Sequence, residues 1–154
     1  MMATIVRHVL ATVPASSEGS GPPALFMHCT TGNNRTGVFI SLLLSLLGVP
    51  AECIVQEYTL SEVGLAPTRH VNVERLLQKG AFVEYGPEEA KRKCERMVGA
   101  RAESMEALLV EVERRWGGAG GYFEQLAGLS AEEVTRVREV LTADGAGGLR
   151  SSVW

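Results

Sequence analysis

Residues 24–48 read ALFMHCTTGNNRTGVFISLLLSLLG, and the order of residue types along this stretch decides the fold. Ala24-Leu25-Phe26-Met27-His28 is a short apolar run bounded by turn residues, the pattern of a buried strand. A polar loop with one glycine and two asparagines follows. From Thr36 to Leu47 the chain is apolar on nearly every side, which predicts a buried helix. Gly48 and then Pro50 end it in the order that helix termini favour. The expected class is therefore α/β, built on a strand–loop–helix core.

That order has a chemical use. Cys29 and Arg35 are separated by the five residues Thr30, Thr31, Gly32, Asn33 and Asn34. A loop this tight turns its backbone N–H groups inward, and the helix beginning near Thr36 adds its positive end at the same point. Such a nest holds a phosphate. The Arg35 guanidinium matches two phosphate oxygens at once. Cys29, at the bottom of the nest, sits where the same donors stabilise a thiolate. The thiolate can attack phosphorus, and water can then release the phosphocysteine intermediate. The pattern H-C-x-x-G-x-x-R-[ST]-G fixes six positions, and its chance occurrence in a chain of this size is on the order of one in a million.

The loop HCTTGNNRTG resembles the active-site loop of the protein tyrosine phosphatase superfamily. With VFISLLLSLLGVPAECIVQEYTLSEVGLAP after it and GGAGGYFEQLAGLSAEEV further on, the chain resembles the C-terminal half of the bacterial and fungal tyrosine/serine protein phosphatase-like family. The resemblance runs over residues 3–141 and implies that Cys29 is the nucleophile and Arg35 the phosphate ligand. It implies that Thr36 hydrogen-bonds the sulfur and helps it leave, and that His28 tunes the thiolate from behind. It also implies a helical lid over the pocket between Leu65 and Gly99. On this reading residues 1–154 are one phosphatase-like domain, truncated at its N-terminus and helix-dominated because that part of the sheet is missing.

The chain departs from the family pattern in two places. Where relatives commonly carry Lys-Asp before the arginine, it has Asn33-Asn34, and an amide cannot donate a proton as an acid. Its only aspartate is Asp144, in the Gly-rich tail. Glu57 and Glu62, just after the loop helix, are the candidate substitute acids. The leading expectation is a metal-independent tyrosine phosphatase, dual specificity included, acting on a phosphotyrosine protein or another phosphomonoester such as a phosphoinositide. The alternative is a pseudophosphatase module that binds phosphate without turnover. Arsenate or sulfur-transfer chemistry is disfavoured by His28 before the cysteine and Thr36-Gly37 after the arginine.

Outside the loop the chain reads as helices: 3–13, 51–61, 68–79, a polar one from Pro87 that breaks near Gly99, 105–116, 122–127 and 130–141. Ser130 and Glu133 form a capping box. Ala81–Tyr85 is a weak second strand. Residues 14–23 read as an internal linker and 143–154 as a flexible tail. Lys91, Arg92, Lys93 and Arg96 cluster on what reads as a solvated face, and Cys53 and Cys94 read as buried small hydrophobes. Arg69-His70 stands where a lid would begin.

The totals narrow the partners. A formal charge of -3 over 154 residues offers no global attraction to nucleic acid or anionic lipid, so any anion must be held locally. The longest apolar run, 38–50, is too short to span a bilayer. Three irregularly spaced cysteines form neither a disulfide framework nor a zinc site, and they fit a reducing, cytoplasmic setting. No cofactor or metal is implied.

Overall fold

In a computed structural model, residues 2–12 and 25–142 are described. The linker at 14–23 and the tail at 143–154 lie outside them. The chain divides into two compact units, Met1–Leu25 with Gly120–Trp154, and Phe26–Ala119.

In the first unit, α1 (Met2–Thr12) packs on α8 (Ala131–Thr142), and Val6, Val134 and Val137 are buried. The capping box is present in both directions: Glu133 N–H donates to Ser130 Oγ at 3.1 Å, and Ser130 N–H to the Glu133 carboxylate at 2.8 Å. The same carboxylate takes the Arg7 guanidinium at 2.6 and 3.0 Å. The glycine run at 117–121 breaks the chain for less than its length suggests. Gly117, at φ 66°, ends α6 (Ala102–Trp116), but Ala119 already starts α7 (Ala119–Gln125), which absorbs Gly120 and Gly121.

The second unit carries the loop. After it comes α2 (Arg35–Leu46), with Phe39, Ser41, Leu42 and Leu46 buried. Its end is a Schellman motif: Val49 N–H donates to Leu44 O and Gly48 N–H to Ser45 O, with Gly48 at φ 84°. Next, α3 (Ala51–Leu65) packs on α2 and α6, joining Ile54 and Tyr58 to Ala100 and Met105 in one core cluster. A second cluster joins α4 (Arg69–Gln78) to α5 (Pro87–Met97) through Val73, Cys94 and Val98. The break expected near Gly99 falls there.

Helix therefore dominates, and two strand expectations are corrected. Leu25–His28 has no ladder partner among the described residues, and Phe26 is 86 % exposed, so this run is no buried strand. Apolar composition alone cannot make a strand whose N–H and C=O groups have nothing to pair with. Ala81–Tyr85 fails locally: Phe82 takes the left-handed conformation at φ 60°, and Val83–Tyr85 closes as a 3₁₀ turn.

With no sheet pairing among the described residues, the loop is held from another side. Asn33 is buried, and its Nδ2 donates to Val98 O at 3.1 Å and Gly99 O at 3.2 Å. Its Oδ1 accepts from the Thr31 hydroxyl. The neighbouring Asn34 Nδ2 donates to Met97 O at 3.0 Å. Segment 97–100 is gripped from its other edge too, since Ala100 N–H donates to Glu62 and Glu62 pairs with Arg69. Gly99 lets Glu62 come this close, because a Cβ there would stand 3.0 Å from Oε1. Gly37 plays a similar part in α2, where a Cβ would stand 2.7 Å from the Tyr58 ring.

Removing a buried amide that serves two carbonyls and a hydroxyl should cost about 2–3 kcal/mol, whereas a single exposed hydrogen bond is worth about 1 kcal/mol. Asn33→Ala should therefore destabilise the chain clearly more than Asn34→Ala in urea denaturation. Equal effects would show that the clamp does not hold the loop.

Candidate active site

The loop 29–35 and the face of α4 enclose a cleft of about 760 Å³. Cys29, Thr30, Thr31, Asn34 and Arg35 line it from the loop, Asn72, Arg75, Leu76 and Lys79 from α4 and its C-cap, and Met97 and Val98 from the end of α5. The segment 65–99 that the family resemblance marked as a lid thus supplies the cleft's second wall.

Cys29 is half-buried, and its environment pulls two ways. Burial by itself raises a thiol's pKa. Here it is outweighed by hydrogen bonds from the Thr36 N–H and hydroxyl and from the Thr31 and Gly32 N–H groups, and the thiol is held down to about 6. The sequence places those donors. Gly32 at φ 82° gives the loop a left-handed turn that other residues resist, and Thr36 lies in the first turn of α2, where N–H groups are still unpaired. Arg35 lines the cleft mouth, its Nη2 donating to Thr30 Oγ1 at 3.2 Å. His28 is exposed, and its Nδ1–H donates to Cys29 O at 2.8 Å, which ties down the loop's entry.

The two candidate acids stand elsewhere. Glu57 is exposed on α3, and neither it nor Glu62 lines the cleft. Burial would raise the Glu62 pKa, but Arg69 and the Ala100 N–H outweigh it and hold the carboxyl below its ordinary range. A carboxylate kept charged by a structural ion pair is poorly placed to give up a proton. Asp144 lies outside the described residues. Among the described residues, no carboxylate lines the cleft and no His/Cys/Asp/Glu cluster could hold a metal.

Other side chains singled out in the sequence also fall outside the cleft. Arg92 and Lys93 pair with Glu89, and the Lys93 ammonium lies 4.2 Å from the centre of the Tyr85 ring. Arg69, His70 and Lys91 line a separate cleft with Glu74 and Glu95. Cys94 is buried as expected, but Cys53 is exposed, so its reading as a buried hydrophobe is corrected: it stands on the solvent side of α3, two positions before Val55. The sequence reading missed Asn72, Arg75 and Lys79. Their signal was available, since spacings of i, i+3 and i+7 put them on one face of a helix that was read only for its apolar stripe.

No helix among the described residues is long and apolar enough to cross a membrane. A sequence model of the tyrosine phosphatase family matches residues 2–143. The chain is 31% identical over 126 residues to the triple specificity protein phosphatase PtpB of Mycobacterium tuberculosis, covering 79% of this chain and 45% of that protein. It is 30% identical over 132 residues to a tyrosine-protein phosphatase of Nostoc commune, covering 86% and 42%. It therefore spans less than half the length of these curated relatives. With a low-pKa cysteine and an arginine on one loop, and with the family match running through that loop, the chain belongs to the tyrosine phosphatase family.

Proposed function

We propose that the chain is a cysteine-dependent phosphatase that hydrolyses phosphate monoesters, phosphotyrosine foremost, without a metal. One observation carries this reading: a thiol held down to about 6 by loop and helix N–H groups, in a cleft whose mouth Arg35 lines. In the first step the Cys29 thiolate attacks phosphorus. The S–P bond forms, the ester P–O bond breaks, and its electron pair leaves on the substrate oxygen, which takes a proton from water. The Arg35 guanidinium and the loop N–H groups hold the other phosphate oxygens as charge shifts among them. In the second step water attacks phosphorus and the S–P bond breaks. The sulfur leaves as thiolate, received by the Thr36 hydroxyl, while the attacking water loses its proton to solvent and inorganic phosphate is released.

Phosphotyrosine stands ahead of phosphoserine and phosphoinositides because a phenolate, the base of an acid of pKa about 10, departs far more readily than an alkoxide. That matters in a cleft lined by no carboxylate among the described residues. The lack of an acid is also what favours the weaker reading, a phosphate-binding module without turnover. A depressed thiol with a hydroxyl set to receive it is of no use to pure binding. Such a thiolate keeps its reactivity only in a reducing compartment, which supports a cytoplasmic setting. The α/β core is part of the same proposal and rests on the strand–loop–helix order of residue types around Cys29, since the run 25–28 has no ladder partner among the described residues.

p-Nitrophenyl phosphate, whose leaving group needs no acid, should be turned over in EDTA. Cys29→Ser and Arg35→Ala should each reduce kcat/KM by at least about a hundredfold. Absence of turnover by a folded chain that still binds vanadate would leave the binding module. Iodoacetamide alkylation of Cys29, followed by peptide mass spectrometry, should rise with pH around a midpoint near 6, because lowering the thiol's pKa populates the thiolate from that pH upward. Thr36→Ala should move the midpoint up, and an unmoved midpoint would deny Thr36 its role. Asn34→Asp places a carboxyl at the cleft wall against the Met97 carbonyl, whose repulsion favours the protonated form. It should raise kcat on phenyl phosphate about tenfold relative to p-nitrophenyl phosphate. A leaving-group slope unchanged by the substitution would show that this position cannot serve as an acid.

A further inference from the structure

The cleft holds more positive charge than one phosphate needs. Arg35 lines it from the loop, and Arg75 and Lys79 line it from α4, one turn apart. Among the described residues no carboxylate lines it, and no ion pair uses any of these three cations. Several basic side chains outside the cleft are matched: Arg69, six residues before Arg75, is paired with Glu62, and Arg92 and Lys93 share Glu89. On a chain with a formal charge of -3, an unmatched cationic wall facing a phosphate loop is a local arrangement with a local use.

The last turn of a helix attracts cations through its dipole, and this helps to hold Arg75 and Lys79 where they are. The dipole does not account for their sharing a cleft with Cys29, or for Leu76, Met97 and Val98 forming an apolar stretch of the same cleft. Phosphate site, apolar side chains and a second cationic site in one cleft together match a ligand that carries a phosphate, an apolar body and a further anionic group.

We propose that Arg75 and Lys79 form a second anion subsite that selects phosphotyrosine peptides with an acidic side chain beside the phosphotyrosine. The phosphate sits in the Cys29–Arg35 loop, the ring lies against Leu76, Met97 and Val98, and the neighbouring carboxylate meets the α4 cations. This rests on the loop being a phosphate site, as under the proposed function. It adds that substrate choice is set by α4 and not by the loop.

The test uses the full chain with Cys29→Ser, so that binding is read apart from turnover. Fluorescein-labelled phosphotyrosine peptides, with one flanking position at a time set to Glu, Ala or Lys, are titrated by fluorescence anisotropy. At one or more positions Glu should improve Kd over Ala about two- to fivefold, the range expected of exposed charge pairs, and the gain should shrink as salt rises. Adding Arg75→Glu and Lys79→Glu should reverse the order so that the Lys peptides bind best, a gain that misfolding cannot imitate. Arg75→Gln with Lys79→Gln, which keeps good helix formers, should bring the ratio to about one. A Glu preference below twofold at every position, or one that survives the charge reversal, overturns the subsite. Failure of the phosphatase reading looks different: the unsubstituted chain would not turn over p-nitrophenyl phosphate, whatever the peptide affinities.

Discussion

An asparagine amide has two N–H groups and one oxygen, and Asn33 uses all three within the buried junction between the Cys29–Arg35 loop and segment 97–100. The carbonyls of Val98 and Gly99 follow the end of α5, where helical partners have run out, so they would be costly to bury unpaired. The loop needs a fixed backbone so that Thr31 and Gly32 keep their N–H groups on the sulfur. One side chain meets both needs. The consequences spread in two directions. Through Thr31 the clamp bears on the Cys29 thiolate, and through Val98 it reaches the Val73–Cys94 cluster that seats α4 on α5. The second wall of the cleft is thereby referenced to the first.

Electrostatics complete the arrangement. A thiolate beside Arg35 is stable because its donors are numerous and short-ranged, and not because the chain is basic. With three cations in the cleft and, among the described residues, no carboxylate lining it, the local field favours an anion there. The carboxylate that sequence reading put forward, Glu62, instead stabilises the frame. Its charge is spent on Arg69 and on the Ala100 N–H, at the far edge of the segment that Asn33 and Asn34 hold.

The legible parts of the sequence are those governed by neighbours along the chain. The loop motif, the Gly48 helix stop, the Ser130–Glu133 capping box and the break near Gly99 are all set within a few residues, and each appears in the structure. The illegible parts depend on distant partners. Leu25–His28 has strand composition but needs a ladder that its own residues cannot provide. Asn33 and Asn34 read as lost Lys and Asp because their carbonyl partners lie more than sixty residues away. Arg75 and Lys79 carried no signal of their own, since only the packing of α4 shows what that face looks onto. Phe82 is a different failure: its left-handed backbone lies in a residue type that favours strands, and nothing short of the turn itself reveals it.

Position 34 shows what the clamp excludes. An amide there donates to the Met97 carbonyl, and an ionised carboxylate in its place would be repelled by it. A group that holds structure by donating permanently cannot also release a proton once per turnover. If the residue anchors, the acid must come from elsewhere, and the described carboxylates stand outside the cleft. On the proposed function the proton for the leaving oxygen then comes from water, which sets a limit on chemistry rather than on binding. Under that proposal esters of weakly basic oxygens are accessible, while alkyl phosphates need the help that Asn34 cannot give. On the same proposal Leu76, Met97 and Val98 offer apolar surface to the aromatic body of such an ester, so the cleft's lining and the absence of a carboxylate among its described residues are consistent with one class of phosphate.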